Sequence, residues 1–144
     1  MDVTISAVFL NALVLEDDGI TQELLRHVLR DMNFADIGFF GDGRPALEHL
    51  HETGSGYYDL VICDWHMREM NGLGFLQAFR KLEPQTPFLM LTGDATRENV
   101  VEASKAGVTE FIAKPFSRKE LQEKLARVLR EKLQRDYRED LIDE

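Results

Sequence analysis

Strand-length apolar runs alternate five times with stretches whose apolar residues recur at helical spacing, and this alternation restricts the fold more than any other feature. The runs are Leu10 to Leu15, Ile37 to Phe40, Leu60 to Cys63, Phe88 to Leu91 and Phe111 to Ala113. Leu24, Leu25, Val28 and Leu29 follow the first, then Ala46, Leu47 and Leu50 the second, and Leu73, Leu76, Phe79 and Leu82 the third. Val100, Val101 and Ala103 follow the fourth, and Leu121, Leu125, Val128, Leu129 and Leu133 the fifth. The punctuation agrees with this reading. Gly41-Asp42-Gly43 has turn chemistry, Pro45 suits the first turn of a helix, and Gly54-Ser55-Gly56, Pro84, Pro87 and Gly107 fall where elements end. Ser117 and Glu120 make a capping box for the last helix. Five βα units with continuous apolar strands predict a doubly wound α/β fold, a parallel sheet covered by helices on both faces.

The 144 residues fit one such domain. A single cysteine, Cys63, excludes an intrachain disulfide and a Cys-based zinc site, and inside an apolar run it reads as a small buried hydrophobe. His27, His49, His51 and His66 have no zinc-ligand spacing. With 26 acidic and 17 basic residues the formal charge is −9, a surface that repels phosphate backbones and anionic lipid. No stretch approaches the ~18 apolar residues of a membrane span, and the stretch from Val3 to Leu15 has Asp2 where a signal peptide has Lys or Arg. A cytoplasmic protein that binds neither nucleic acid nor membrane is the expectation.

The polar residues that end the strands carry the functional signal. In a doubly wound sheet, ligands bind at the carboxyl ends of the strands. Here the first run ends in Glu16, Asp17 and Asp18, the third in Asp64, the fourth in Thr92 and the fifth in Lys114. Singly, each has an ordinary explanation: a solvated, helix-capping acidic loop, a turn aspartate, a capping threonine, a surface lysine. Jointly they make a pocket in which several carboxylates repel one another unless a cation neutralises them. All-oxygen ligands with room for water and a phosphoryl oxygen suit Mg²⁺ better than Ca²⁺. An ionised aspartate beside such an ion is a nucleophile towards phosphorus, and Thr92 and Lys114 would hold the remaining oxygens. The pattern predicts a phosphoryl-acceptor site.

From about Leu10 to Arg130 the sequence resembles the receiver domain of two-component response regulators. The resemblance rests on Val14-Leu15-Glu16-Asp17-Asp18, on Asp59-Leu60-Val61-Ile62-Cys63-Asp64 with Met67 and Met70-Asn71-Gly72, on Leu91-Thr92-Gly93 and on Lys114-Pro115-Phe116. It implies a flavodoxin-like fold with strand order 2-1-3-4-5. It also implies that Asp64 accepts a phosphoryl group from a sensor histidine kinase or a histidine phosphotransfer protein. Glu16, Asp17, Asp64 and the backbone carbonyl of His66 would bind Mg²⁺, for which Mn²⁺ can substitute. Thr92 and Lys114 would contact the phosphoryl group, and Phe111 occupies the switch-aromatic position. His66 and Asp94 lie where the family tunes phosphoryl loss. Phosphorylation would then bias a protein-interaction surface made by the fourth helix, fifth strand and fifth helix, in a monomer or a phosphorylation-dependent dimer.

Three departures stand out. Glu16 replaces the commoner Asp, Arg68 and Glu69 stand in place of Pro-Gly, and Asn71 stands in place of Asp. The last two put the stiffness of the loop after Asp64 in question. The expected organisation is an N-terminal extension over 1–9, the receiver over 10–130, and a lengthened last helix or charged tail over 131–144. On this reading the chain is a self-phosphorylating and autodephosphorylating switch more than an enzyme. A Mg²⁺-dependent phosphatase with an aspartyl-phosphate intermediate is the enzymatic alternative, and an unphosphorylated docking module the structural one. A flavin carrier fits poorly, because the acidic first loop repels a flavin phosphate. Trp65, next to the acceptor, gates the pocket or simply covers apolar surface.

Overall fold

The computed structural model describes residue 7 and residues 9–142. Its elements follow the alternation in the sequence: β1 (Asn11–Leu15), α1 (Gly19–Asp31), β2 (Asp36–Phe40), α2 (Gly43–Thr53), β3 (Leu60–Asp64), α3 (Gly72–Leu82), β4 (Phe88–Thr92), α4 (Arg97–Ala106), β5 (Glu110–Ala113) and α5 (Arg118–Ile142). All neighbouring strands pair in parallel, in the order β2-β1-β3-β4-β5. The doubly wound, flavodoxin-like α/β architecture is therefore present.

Alternation along each strand builds two cores, because successive side chains leave opposite faces of a sheet. Ala12, Val14, Leu60, Ile62, Leu89, Leu91 and Ile112 face α1 and α5, where Leu25, Val28, Leu29, Leu121, Leu125 and Leu129 meet them. Leu13, Leu15, Val61, Cys63, Phe88 and Met90 face the opposite layer and pack with Ala46, Phe75, Phe79 and Ala103. Phe75, Phe79 and Phe88 form a triangle there, with ring centroids 5.8–6.0 Å apart. Burying each such ring contributes roughly 1.5–3 kcal/mol relative to exposure. Strands buried on both faces explain why the apolar runs are continuous.

Local chemistry fixes where the helices begin, and so fixes the loops that carry the site. The Asp18 carboxylate accepts from Thr21 N–H at 2.9 Å, Asn71 Oδ1 from Gly74 N–H at 2.8 Å, and Thr96 Oγ1 from Asn99 N–H at 3.1 Å. Each satisfies a backbone donor that a helix start leaves free. Ser117 and Glu120 form the expected capping box, with Glu120 N–H donating to Ser117 Oγ at 3.1 Å. Gly107 closes α4 at φ 96°, a left-handed conformation that favours glycine.

At 25 residues α5 is the longest element. Beyond Arg130 it lies against the amino-terminal ends of the strands, where Lys132 Nζ stands 3.8 Å from Asp59 and Arg135 donates to the Gln85 carbonyl at 3.1 Å. Leu133, Tyr137 and Leu141 remain exposed along its outer side. Of the N-terminal stretch 1–9, residues 1–6 and 8 lie outside the described residues; Ala7 is buried against the α1–α5 core. Among the described residues no helix is long and apolar enough to cross a membrane.

Candidate functional site

Parallel strands of similar length bring their carboxyl ends to one edge of the sheet, and the polar residues expected at four of the five strand ends meet there. Glu16 directly follows β1, and its N–H donates to Phe40 O at 2.9 Å, extending the β1–β2 ladder by one bond. Asp64 and Thr92 are the final residues of the adjacent strands β3 and β4. Lys114 follows β5 and is held in line by its N–H to Thr92 O at 2.8 Å. Glu16 and Thr92 have no exposed surface and Asp64 is only 6% exposed. Among the described residues they stand out as buried charged or hydroxyl side chains next to two apolar cores.

The acidic loop divides cleanly by role. Asp18 is spent on capping α1, where it also accepts from Thr21 Oγ1 at 2.7 Å. Glu16, Asp17 and Asp64 each offer a carboxylate oxygen, and the three oxygens lie within 4.8 Å of one another. Lys114 Nζ sits between two of these residues, 2.5 Å from Glu16 Oε1 and 3.2 Å from Asp64 Oδ2. The second Glu16 oxygen is buried with no hydrogen-bond partner. Burying a carboxylate oxygen without a partner is costly. An orphaned oxygen beside two further carboxylates is the donor set a hard cation takes, so these residues fit Mg²⁺.

The charges respond to this crowding. Burial, together with the neighbouring Asp64 carboxyl, raises the Glu16 pKa from 4.5 to about 7, despite the opposing pull of Lys114. Burial alone would lower Lys114, but its hydrogen bond to Glu16 and the charges of Glu16 and Asp64 outweigh that and raise it. Lys114 therefore stays cationic at neutral pH. Thr92 Oγ1 accepts from Asp94 N–H at 3.0 Å, which leaves its own proton free to donate.

The remaining expected residues lie around this centre. His66 and Asp94 are exposed on the two loops that leave β3 and β4. Phe111, in β5, is half-buried against the α2–α4 core, and Lys124 donates to its carbonyl. Trp65 is 6% exposed within that same core, where it covers apolar surface. Asn71 caps α3, a role that Asp would fill equally. Sequence reasoning missed Asp42. Its carboxylate accepts from Glu69 N–H at 2.8 Å and Met70 N–H at 3.0 Å, across to the loop that follows Asp64.

Known proteins share this architecture. Residues 12–126 match the model of the response regulator receiver domain. The chain belongs to that family. It is 35% identical to the chemotaxis protein CheY of Pseudomonas aeruginosa over 118 residues, covering 81% of this chain and 93% of the relative. The solved structure of the chemotaxis protein CheY4 of Vibrio cholerae superposes with a TM-score of 0.75 at 29% identity, covering 84% of this chain and 99% of that one. NtrX from Brucella abortus superposes at 0.80 with 26% identity, covering 91% of this chain but only 29% of the longer protein. The molecule is thus a CheY-like receiver domain, a module of phosphoacceptor signalling.

Proposed function

We propose that this receiver is a switch that takes a phosphoryl group onto Asp64 from a phosphohistidine on a sensor kinase or phosphotransfer protein. The observation that carries this reading is Lys114 Nζ bridging Glu16 and Asp64 over three converging carboxylates. In the transfer, an Asp64 carboxylate oxygen forms the new O–P bond as the N–P bond of the donor breaks. The departing imidazole keeps that electron pair and is then protonated. Asp64 is the acceptor because it ends its strand at the pocket, with Lys114 3.2 Å from one oxygen to offset charge gathering there. The Thr92 hydroxyl donates to a phosphoryl oxygen while still accepting from Asp94 N–H.

Glu16, Asp17, Asp64 and the His66 carbonyl would hold Mg²⁺, which when bound neutralises phosphoryl oxygens that Lys114 and Thr92 do not reach. The chain's own contribution is positioning and charge, and it acts as a switch more than as an enzyme with turnover. Movement of Thr92 towards the phosphoryl group makes room beside β4 for Phe111 to turn inward, which changes the face formed by α4, β5 and α5. A downstream protein reads that face. His66 and Asp94, on the rim, set how readily water reaches the phosphoryl group.

Acetyl phosphate with Mg²⁺, followed by intact-mass measurement, tests the reading. One phosphoryl mass on the unsubstituted protein and none on Asp64→Asn is expected. No added mass on the unsubstituted protein, or equal labelling of Asp64→Asn, refutes it.

A further inference from the structure

Residues 65–71, between Asp64 and α3, contain neither proline nor glycine, yet the His66 carbonyl must hold its place beside the acidic cluster if it is to bind a cation. Backbone bonds fix only the base of this loop: Gly72 N–H donates to Trp65 O at 2.7 Å. Gly72 has to be glycine for that closure, since a Cβ there would lie 2.5 Å from Asp64 O and 2.9 Å from Trp65 Cα.

The outer part of the loop is held by another segment of the chain. Asp42, in the turn after β2, accepts from Glu69 N–H through Oδ2 and from Met70 N–H through Oδ1, 27 and 28 residues away. Oδ1 also accepts from Gly43 N–H at 2.7 Å. The next residue tightens the fit: a Cβ on Gly43 would come within 2.8 Å of Met70 Sδ and 3.2 Å of Met70 Cβ. Met70 itself packs on the α2–α4 core. A cavity of about 430 Å³ opens between the two joined loops, lined by Asp17, Gly41, Asp42, Pro45, Arg68 and Glu69. The latch and the acidic ligand Asp17 therefore border the same space. Although burial by itself would raise the Asp42 pKa, the N–H groups of Glu69, Met70, Gly43 and Arg44 outweigh it and hold the carboxyl below its usual value.

A helix cap alone would not require this geometry. A capping carboxylate ordinarily accepts from the second or third residue of its own helix, whereas here both oxygens are engaged by the distant loop. We infer that Asp42 is a positioning residue for cation binding, latching the 65–71 loop so that the His66 carbonyl stays aligned with Glu16, Asp17 and Asp64. This rests on the proposed metal role of those residues. Such outer hydrogen bonds orient ligands, and losing one typically weakens a metal site by about 10- to 100-fold.

Asp42→Ser separates the two roles of the carboxylate, because serine is as good a cap as aspartate but is too short to reach the loop. Mg²⁺ affinity is read by titration of the fluorescence of Trp65, the single tryptophan, and amide hydrogen exchange at Glu69 and Met70 by NMR without metal. In Asp42→Ser the Mg²⁺ dissociation constant should rise about tenfold, both amides should exchange faster, and the thermal midpoint should move little. Asp42→Asn keeps one acceptor oxygen and should fall between; it decides the matter if the serine variant does not fold. An affinity within about twofold of the unsubstituted protein, or unchanged exchange at both amides, overturns the latch. Failure of the unsubstituted protein to bind Mg²⁺ removes both the latch and the metal role, which tells that failure apart from a failure of the latch alone.

Discussion

Glu16 should make the metal-free protein less stable as pH rises, against the usual behaviour of an ion-paired carboxylate. Its pKa stands at about 7 in the folded protein against 4.5 in an unfolded chain. Between those values the unfolded chain sheds the proton while the folded protein keeps it, so unfolding releases a proton and rising pH favours it. The stabilisation is complete below about pH 4.5, fades through pH 7 and is absent above. The pKa difference corresponds to roughly 3 kcal/mol. Glu16→Gln cannot ionise and so escapes that cost. That value already includes the pull of Lys114, which in the variant retains Asp64 at 3.2 Å. The variant should therefore exceed the unsubstituted protein by about 2–3 kcal/mol at about pH 8 and by well under about 1 kcal/mol at about pH 4. In a chain of this size that advantage appears as a midpoint roughly 4–12 °C higher at about pH 8. Thermal unfolding followed by circular dichroism in chelator, at both pH values for both proteins, gives the double difference. An advantage of the same size at both pH values, or one confined to low pH, would show that Glu16 is already ionised in the folded state.

Three further outcomes follow from the same geometry. Lys114→Ala removes the cation beside Asp64 and should slow labelling by acetyl phosphate at least about tenfold without abolishing Mg²⁺ binding, since the removed group is a charge stabiliser and not a ligand; unchanged labelling kinetics count against its role. Phe79→Ala empties a fully buried position between Phe75 and Phe88 and should cost about 3–5 kcal/mol in urea unfolding, whereas a loss under about 1 kcal/mol would mean the core relaxes into the gap. Exchanging His66 and Asp94 should change the lifetime of the phosphoryl group while phosphorylation itself persists, as decay followed by mass spectrometry will show; identical decay removes their tuning role.

Much of the site could be read from sequence because parallel strands convert a linear rule into a spatial one. Once the alternation defines the strands, the residue after each strand is at the shared edge, so Glu16, Asp64, Thr92 and Lys114 converge without knowledge of any contact. The split of strand residues into two cores is equally local, a matter of period two. Asp42 is different. Gly41-Asp42-Gly43 announces a turn, but nothing local says that its carboxylate reaches Glu69 and Met70, because the two loops meet only after β2 and β3 have both paired with β1. The open question raised by Arg68 and Glu69, what stiffens a loop without Pro-Gly, has its structural answer in those bonds. Trp65 was ambiguous for a related reason: it follows the last residue of β3, where strand alternation ends and its direction depends on the loop. The far part of α5 is similar. Its residues favour a helix, but Lys132 near Asp59 and Arg135 on Gln85 are contacts that only the assembled sheet provides.

That long last helix has a practical consequence for handling the protein. Its first turn lies just after Lys114, and at about 1.5 Å per residue its 25 residues span roughly 37 Å. Past Lys132 and Arg135 it has crossed to the amino-terminal ends of the strands. A fluorescent reporter or surface tether joined after Ile142 would therefore leave the molecule far from the acidic pocket, keeping it open to a bulky phosphoryl donor. An attachment in the loop between β3 and α3 would crowd that entrance.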